Sequence, residues 1–127
     1  MATILIVDDH ILNREFLITL LGYGGHRLLE ARDGIEALVL MRAEHPELVI
    51  VDVLMPNMDG YEFVIQLQSE YGIAHTPVIF YTATYREREA IVIAQACGVR
   101  WVLPKPSEPG VILQTVHEAL GLPMHIP

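Results

Sequence analysis

A chain of 127 residues has the length of one ordinary domain and can bury a core without help from disulfides or a structural metal. Eight basic against sixteen acidic residues give a formal charge of −8, which disfavours direct binding to nucleic acid or to an anionic membrane surface. A hydrophobic content of 52% argues against disorder, and the single Cys97 permits no intrachain disulfide and suits a reducing cytoplasm.

The first predicted element is a strand over Thr3–Val7 that runs into Asp8-Asp9, too early for a signal peptide. A helix follows, with Phe16, Leu17, Leu20 and Leu21 as its apolar stripe and Gly22–Gly25 as its stop. Arg27–Ala31 is a weaker run and suits an edge strand. Ile35, Ala37, Leu38 and Met41 mark a second helix, stopped by His45-Pro46. Leu48–Val51 is a strand that ends at Asp52. The "MPNMDG" turn combines Pro56 and Gly60, with Asp59 as a turn or cap residue, and leads into a third helix carrying Phe63, Val64 and Leu67. After Gly72, Val78–Tyr81 forms a strand that ends in Thr82-Ala83. Ile91, Ala94 and Cys97 stripe the fourth helix, closed by Gly98. Trp101–Leu103 is the last strand and ends in Pro104-Lys105-Pro106. Val111, Ile112, Val116 and Leu120 stripe the last helix, closed by Gly121. Residues 1–121 thus form one domain, and 122–127 read as a linker or tail of a longer protein.

The strands over Thr3–Val7, Leu48–Val51 and Val78–Tyr81 are rich in β-branched residues and do not alternate with polar ones. Strands covered on both faces have that pattern, and five βα units make one open α/β sheet. Ligands of such sheets gather at the carboxyl ends of the strands. Asp8, Asp9, Asp52, Thr82 and the only lysine of the chain, Lys105, all stand there. Three clustered carboxylates repel one another, and a hard cation removes the conflict. Mg²⁺ accepts carboxylates, waters and phosphate oxygens. A carboxylate can also act as nucleophile to form an aspartyl-phosphate, with Lys105 as counter-charge and the Thr82 hydroxyl and Ala83 N–H as donors.

With "ILIVDDH", "VIVDVLMPNMDGYEF", "YTATY" and "GVRWVLPKP" in this order, the chain resembles the receiver domain of two-component response regulators from Thr3 to about Leu120. The resemblance implies a flavodoxin-like (βα)5 doubly wound sheet, five parallel strands in the order 2-1-3-4-5 with helices on both faces. It implies Asp52 as phosphoacceptor and Mg²⁺ as cofactor. Asp9 would be the direct metal ligand, Asp8 its partner acting mainly through water, and the Leu54 backbone carbonyl a further ligand. Thr82 resembles the family's switch hydroxyl and Lys105 its phosphate-pairing lysine, with a cis bond at Lys105–Pro106. A histidine kinase or histidine phosphotransfer protein is the implied donor, with a linked sensory, kinase or output domain and a phosphorylation-dependent homodimer as further expectations. The chain departs from the pattern at Val102, where many receivers carry Tyr or Phe. Trp101 is one residue earlier, so its side chain points to the opposite face of the strand.

Plainer roles stand beside these. His10 is expected to be exposed at the start of the first helix, and Cys97 to be a small core residue. Thr82 or Thr84 could cap the fourth helix. Trp101 suits either the core or an exposed anchor, and "YREREA" a solvated helix face. Three rival functions remain. An aspartate-based phosphatase usually shows D-x-D spacing, whereas Asp8 and Asp9 are adjacent. A flavin protein is opposed by the acidic loop after the first strand. An inert docking module would not need the full set of Asp8, Asp9, Asp52, Thr82 and Lys105.

Overall fold

The computed structural model describes residues 1–70 and 72–122. In chain order the elements are β1 (Thr3–Val7), α1 (Ile11–Gly22), β2 (Arg27–Ala31), α2 (Gly34–Glu44), β3 (Leu48–Val51), α3 (Gly60–Gln68), β4 (Val78–Ala83), a short 3₁₀ turn (Thr84–Arg86), α4 (Glu87–Cys97), β5 (Trp101–Lys105) and α5 (Pro109–Leu120). The five strands are parallel in the order β2-β1-β3-β4-β5. This is the expected doubly wound sheet. Of the expected tail over 122–127, only Leu122 falls within the described residues.

The strands sort their side chains by parity. Leu5, Val7, Val49, Val51 and Phe80 face one way and pack with Leu38, Met41, Phe63, Leu67, Ala90 and Ala94 of α2, α3 and α4. Ile4, Ile6, Leu48, Ile50, Ile79 and Tyr81 face the other way and pack with Leu17 and Leu21 of α1 and Ile112 and Val116 of α5. All four residues of β3, the central strand, are buried. Each such aliphatic side chain contributes roughly 1.5–3 kcal/mol on burial, so the two apolar layers hold the sheet between them.

Both strands at the β4–β5 edge run two residues past the expected ends. Thr82 pairs with Pro104 and Ala83 with Lys105, so cross-strand pairing continues where the apolar pattern stops. Pro104 is tolerated because β5 is the outer strand and needs no second ladder. In each apolar stripe except that of α3, one expected core residue turns outward. Phe16, Ile35, Ile91 and Val111 are exposed, while Leu17, Ala37, Ala94 and Ile112 are buried. Each residue advances about 100° around a helix, so the edge of an apolar stripe falls outside the arc that the sheet covers.

Helix ends follow local chemistry. Asp33 and Asp59 cap α2 and α3 by accepting from the backbone N–H of Glu36 and Glu62, each at 2.9 Å. Gly98 and Gly121 close α4 and α5 in the left-handed conformation. Neither Thr82 nor Thr84 caps α4. Thr84 opens the 3₁₀ turn before that helix, and its hydroxyl donates instead to the Lys105 carbonyl at 2.7 Å. No helix among the described residues is long and apolar enough to cross a membrane.

Candidate functional site

The carboxyl ends of β1, β3, β4 and β5 meet at one edge and deliver the five expected side chains there. Lys105 Nζ donates to Asp8 Oδ2 at 2.7 Å and to Asp52 Oδ2 at 2.9 Å. These contacts join residues 97 and 53 positions apart in the chain, so only the folded sheet can make them. Asp8, Asp52 and Thr82 are buried. Ala83 closes β4 opposite Lys105, and the Lys105–Pro106 bond is cis, as the resemblance implied.

Two carboxylates share one ammonium, and the charges do not balance. Burial pushes the Asp52 carboxyl above the ordinary aspartate range, against the pull of the Lys105 hydrogen bond and charge, and the nearby Asp8 charge adds to the rise. Burial also opposes the charge on Lys105, but its hydrogen bonds to Asp8 and Asp52 outweigh that and raise its pKa. The paired groups therefore move the same way. Burial of the carboxyl accounts for the first rise, and two carboxylates around one ammonium for the second.

The acid pair is built for more positive charge than Lys105 supplies. Asp8, Asp9 and His10 each offer a ligand atom, all within 4.8 Å of one another. Asp9 Oδ1 is buried and makes no hydrogen bond, although His10 Nδ1 lies 3.2 Å away. An orphaned carboxylate oxygen beside a second carboxylate fits a hard divalent cation. Asp52 lies outside that close group and meets Asp8 through Lys105. Leu54 flanks it, and the Leu54 N–H donates to Asp52 Oδ1 at 3.2 Å. His10 is exposed at the N-cap of α1, as expected, yet it faces both acids.

The loops around the site are tied down. Asp8 Oδ1 accepts the His10 N–H at 2.9 Å, which turns the chain from β1 into α1. Asn57, with a positive φ of 68°, donates to Asp33 Oδ2 at 2.9 Å and fixes the loop after Asp52 to the start of α2. Gly60 approaches the backbone of that loop closely. A Cβ there would lie 2.9 Å from Val53 Cα and against the Asp52 carbonyl. No side chain fits at this point, so glycine is required.

One contributor went unrecognised in the sequence. Arg14 is buried on α1, donates to the Asp8 carbonyl at 2.7 Å and to Glu30 Oε1 at 3.0 Å, and so holds the acid pair from behind. The signal was available: Arg14, Leu17 and Leu21 share one helical face, so a charge stands inside an apolar stripe. Val102 and Trp101 occupy opposite faces, as expected. Val102 packs against the α2–α4 side and Trp101 against the α1–α5 side, where Arg100 stacks 4.9 Å above its ring. Cys97 is buried.

A family model described as the response regulator receiver domain matches residues 4–117. The protein PilH of Pseudomonas aeruginosa is 33% identical over 121 residues, 95% of this chain and 99% of PilH. The chemotaxis protein CheY4 of Vibrio cholerae has a TM-score of 0.86 at 32% identity, covering 94% of this chain and 98% of CheY4. The signal receiver domain of a signal transduction histidine kinase from Syntrophus aciditrophicus gives 0.86 at 32% identity, covering 95% and 91%. The strand order, the carboxyl-edge cluster and these matches agree: the chain belongs to the response regulator receiver domain family, the input module of two-component signalling.

Proposed function

We propose that this receiver domain takes a phosphoryl group onto Asp52 from the phosphohistidine of a histidine kinase or histidine phosphotransfer protein. A carboxylate oxygen of Asp52 bonds to phosphorus as the phosphorus–nitrogen bond breaks, and the donor imidazole leaves with the electron pair. Lys105, already hydrogen-bonded to Asp52, neutralises the phosphoryl oxygens. The Thr82 hydroxyl and the Ala83 N–H supply further donors. Asp8, Asp9, Asp52 and the Leu54 carbonyl would hold Mg²⁺. When bound, that ion offsets the charge that builds up during transfer. Water later hydrolyses the acyl phosphate, so the domain is a switch that takes part in its own chemistry rather than an enzyme acting on other substrates.

The observation that carries this reading is the double hydrogen bond of the sole lysine to Asp8 and Asp52. An inert docking module has no use for so unbalanced a buried charge cluster. Adjacent Asp8-Asp9, in place of an alternating acidic pair, speaks against the aspartate-based phosphatase.

The α1 surface supports a donor protein as partner. Ile11, Leu12 and Phe16 stand exposed on the helix that starts beside Asp9, and the Asn57–Gly60 loop borders the same edge. Output passes through α4, β5 and α5, where Ile91, Val92 and Val111 are exposed and a homodimer or a linked domain can dock. With Val102 in place of an aromatic ring, the Thr84–Lys105 hydrogen bond is the link that carries a shift at the lysine into the start of α4. Binding to nucleic acid or membrane has no part in the proposal, and the site of action is the cytoplasm.

Incubation with acetyl phosphate and Mg²⁺ tests the reading by intact mass. One phosphoryl group is expected on the wild-type chain and none on Asp52→Asn. No gain on the wild type, or an equal gain on the variant, rules out Asp52 as the acceptor.

A further inference from the structure

We propose that Tyr81 is a positioning residue for Lys105, its ring face fixing the ammonium between the two carboxylates; this rests on Asp52 being the phosphoacceptor. Tyr81 lies on β4 directly across from Leu103 on β5. Lys105 is two residues beyond Leu103, so its stem leaves the strand on the face that Tyr81 occupies. The Lys105 ammonium stands 5.4 Å from the centroid of the Tyr81 ring, within the range of attraction between a cation and an aromatic face. Tyr81 itself is 4% exposed, so the ring is held by its own packing and does not follow the lysine.

The lysine needs such a wall. Asp8 and Asp52 hold it from one side, and a cavity of about 370 Å³ lies beside it, lined by Asn13, Phe16, Tyr81, Lys105, Pro106 and Ser107. A four-carbon stem next to an open space has many rotamers available, and the carboxylates alone fix only its tip. A ring face under the ammonium disfavours rotamers that carry it off into the cavity. Its negative face also favours the ammonium where the phosphoryl oxygens must arrive. An aliphatic side chain of equal bulk supplies the packing without that attraction. The function therefore belongs to the ring and not to the volume.

Lys105 is the only lysine, so its ε-methylene protons give one assignable NMR signal. Tyr81→Phe, Tyr81→Leu and Tyr81→Met are compared with the wild type for that signal, for urea stability, and for the initial rate of phosphorylation by acetyl phosphate at saturating Mg²⁺. Ring currents should displace the Lys105 signal upfield in the wild type and in Tyr81→Phe, and the displacement should vanish in the leucine and methionine variants. Their phosphorylation rates should fall by roughly fivefold, while Tyr81→Phe stays within about twofold of the wild type. An unshifted Lys105 signal in the wild type overturns the proposal. So does a Tyr81→Phe rate as low as that of Tyr81→Leu, or wild-type rates in both aliphatic variants. The methionine variant serves if leucine prevents folding. Failure of every chain to gain phosphate removes the phosphoacceptor reading instead, and the Lys105 signal then decides the Tyr81 contact alone.

Discussion

The two ends of the sheet are built on different principles. At the amino ends, polar contacts are two backbone-to-side-chain hydrogen bonds and an exposed ion pair: the Ala2 N–H donates to His26 Nδ1 at 3.1 Å, the Thr3 N–H to Glu47 Oε1 at 3.2 Å, and Arg27 faces Glu44 at 3.5 Å. At the carboxyl ends stand all the buried polar side chains found among the described residues, Asp8, Arg14, Asp52 and Thr82. The apolar layers that hold the sheet run the full length between these ends. Stability is thus supplied by the body of the sheet, while one edge carries charge that costs stability and enables chemistry.

The strongest way to break this contrast is to remove a cation from each end. Lys105→Met leaves Asp8 and Asp52 facing each other without a counter-ion and should cost about 3 kcal/mol in urea unfolding. Arg27→Met breaks only an exposed pair and should change stability by about 0.5 kcal/mol or less. Equal effects would mean that the carboxyl edge is no more charged in practice than the amino edge.

A somewhat smaller effect separates two glycines near helix starts. Gly60→Ala drives a methyl group into the Asp52–Val53 backbone and should cost about 2 kcal/mol or more, with slower phosphorylation. Gly110, in the first turn of α5, has open space around its Cα, and Gly110→Ala should gain about 0.5 kcal/mol. A neutral Gly60→Ala would show that the loop beneath the site yields easily.

The smallest effect is the most specific. Because burial raises the Asp52 pKa, the folded chain holds that proton more tightly than the unfolded one. Stability linked to Asp52 is therefore lost as pH rises from below the ordinary aspartate pKa through the raised folded value. In chelator at pH 7, Asp52→Asn should be more stable than the wild type, because it removes a buried charge that folding penalises. Below the ordinary aspartate pKa the difference should close. A variant less stable at pH 7 would show that Lys105 more than offsets the buried charge.

Much of this was legible in the residues themselves. Apolar runs without alternation announced buried parallel strands, and the acids and the lone lysine fell just beyond those runs, where such sheets place their ligands. Gly98 and Gly121 marked the ends of α4 and α5, and Asp59 the start of α3, because their effect is local. Less legible was which residue of an adjacent apolar pair faces inward. Phe16 and Val111 point to solvent because the angle at which a helix lies on the sheet is set by its neighbours. The last residues of β4 and β5 were also hidden, since pairing with another strand, and not local composition, extends them. Arg14 was overlooked for a related reason. Its value lies in the Asp8 carbonyl and Glu30, which the chain brings to it only on folding.

The sequence by itself determined the element order, the sheet class and which polar residues stand at the strand ends, because these depend on side-chain chemistry and short-range periodicity. The tertiary structure alone decided the balance of charge at the carboxyl edge. One ammonium serving two buried carboxylates, with an aromatic ring beneath it, is a matter of distances between residues far apart in the chain, and electrostatic energy is set by those distances and by exclusion of water.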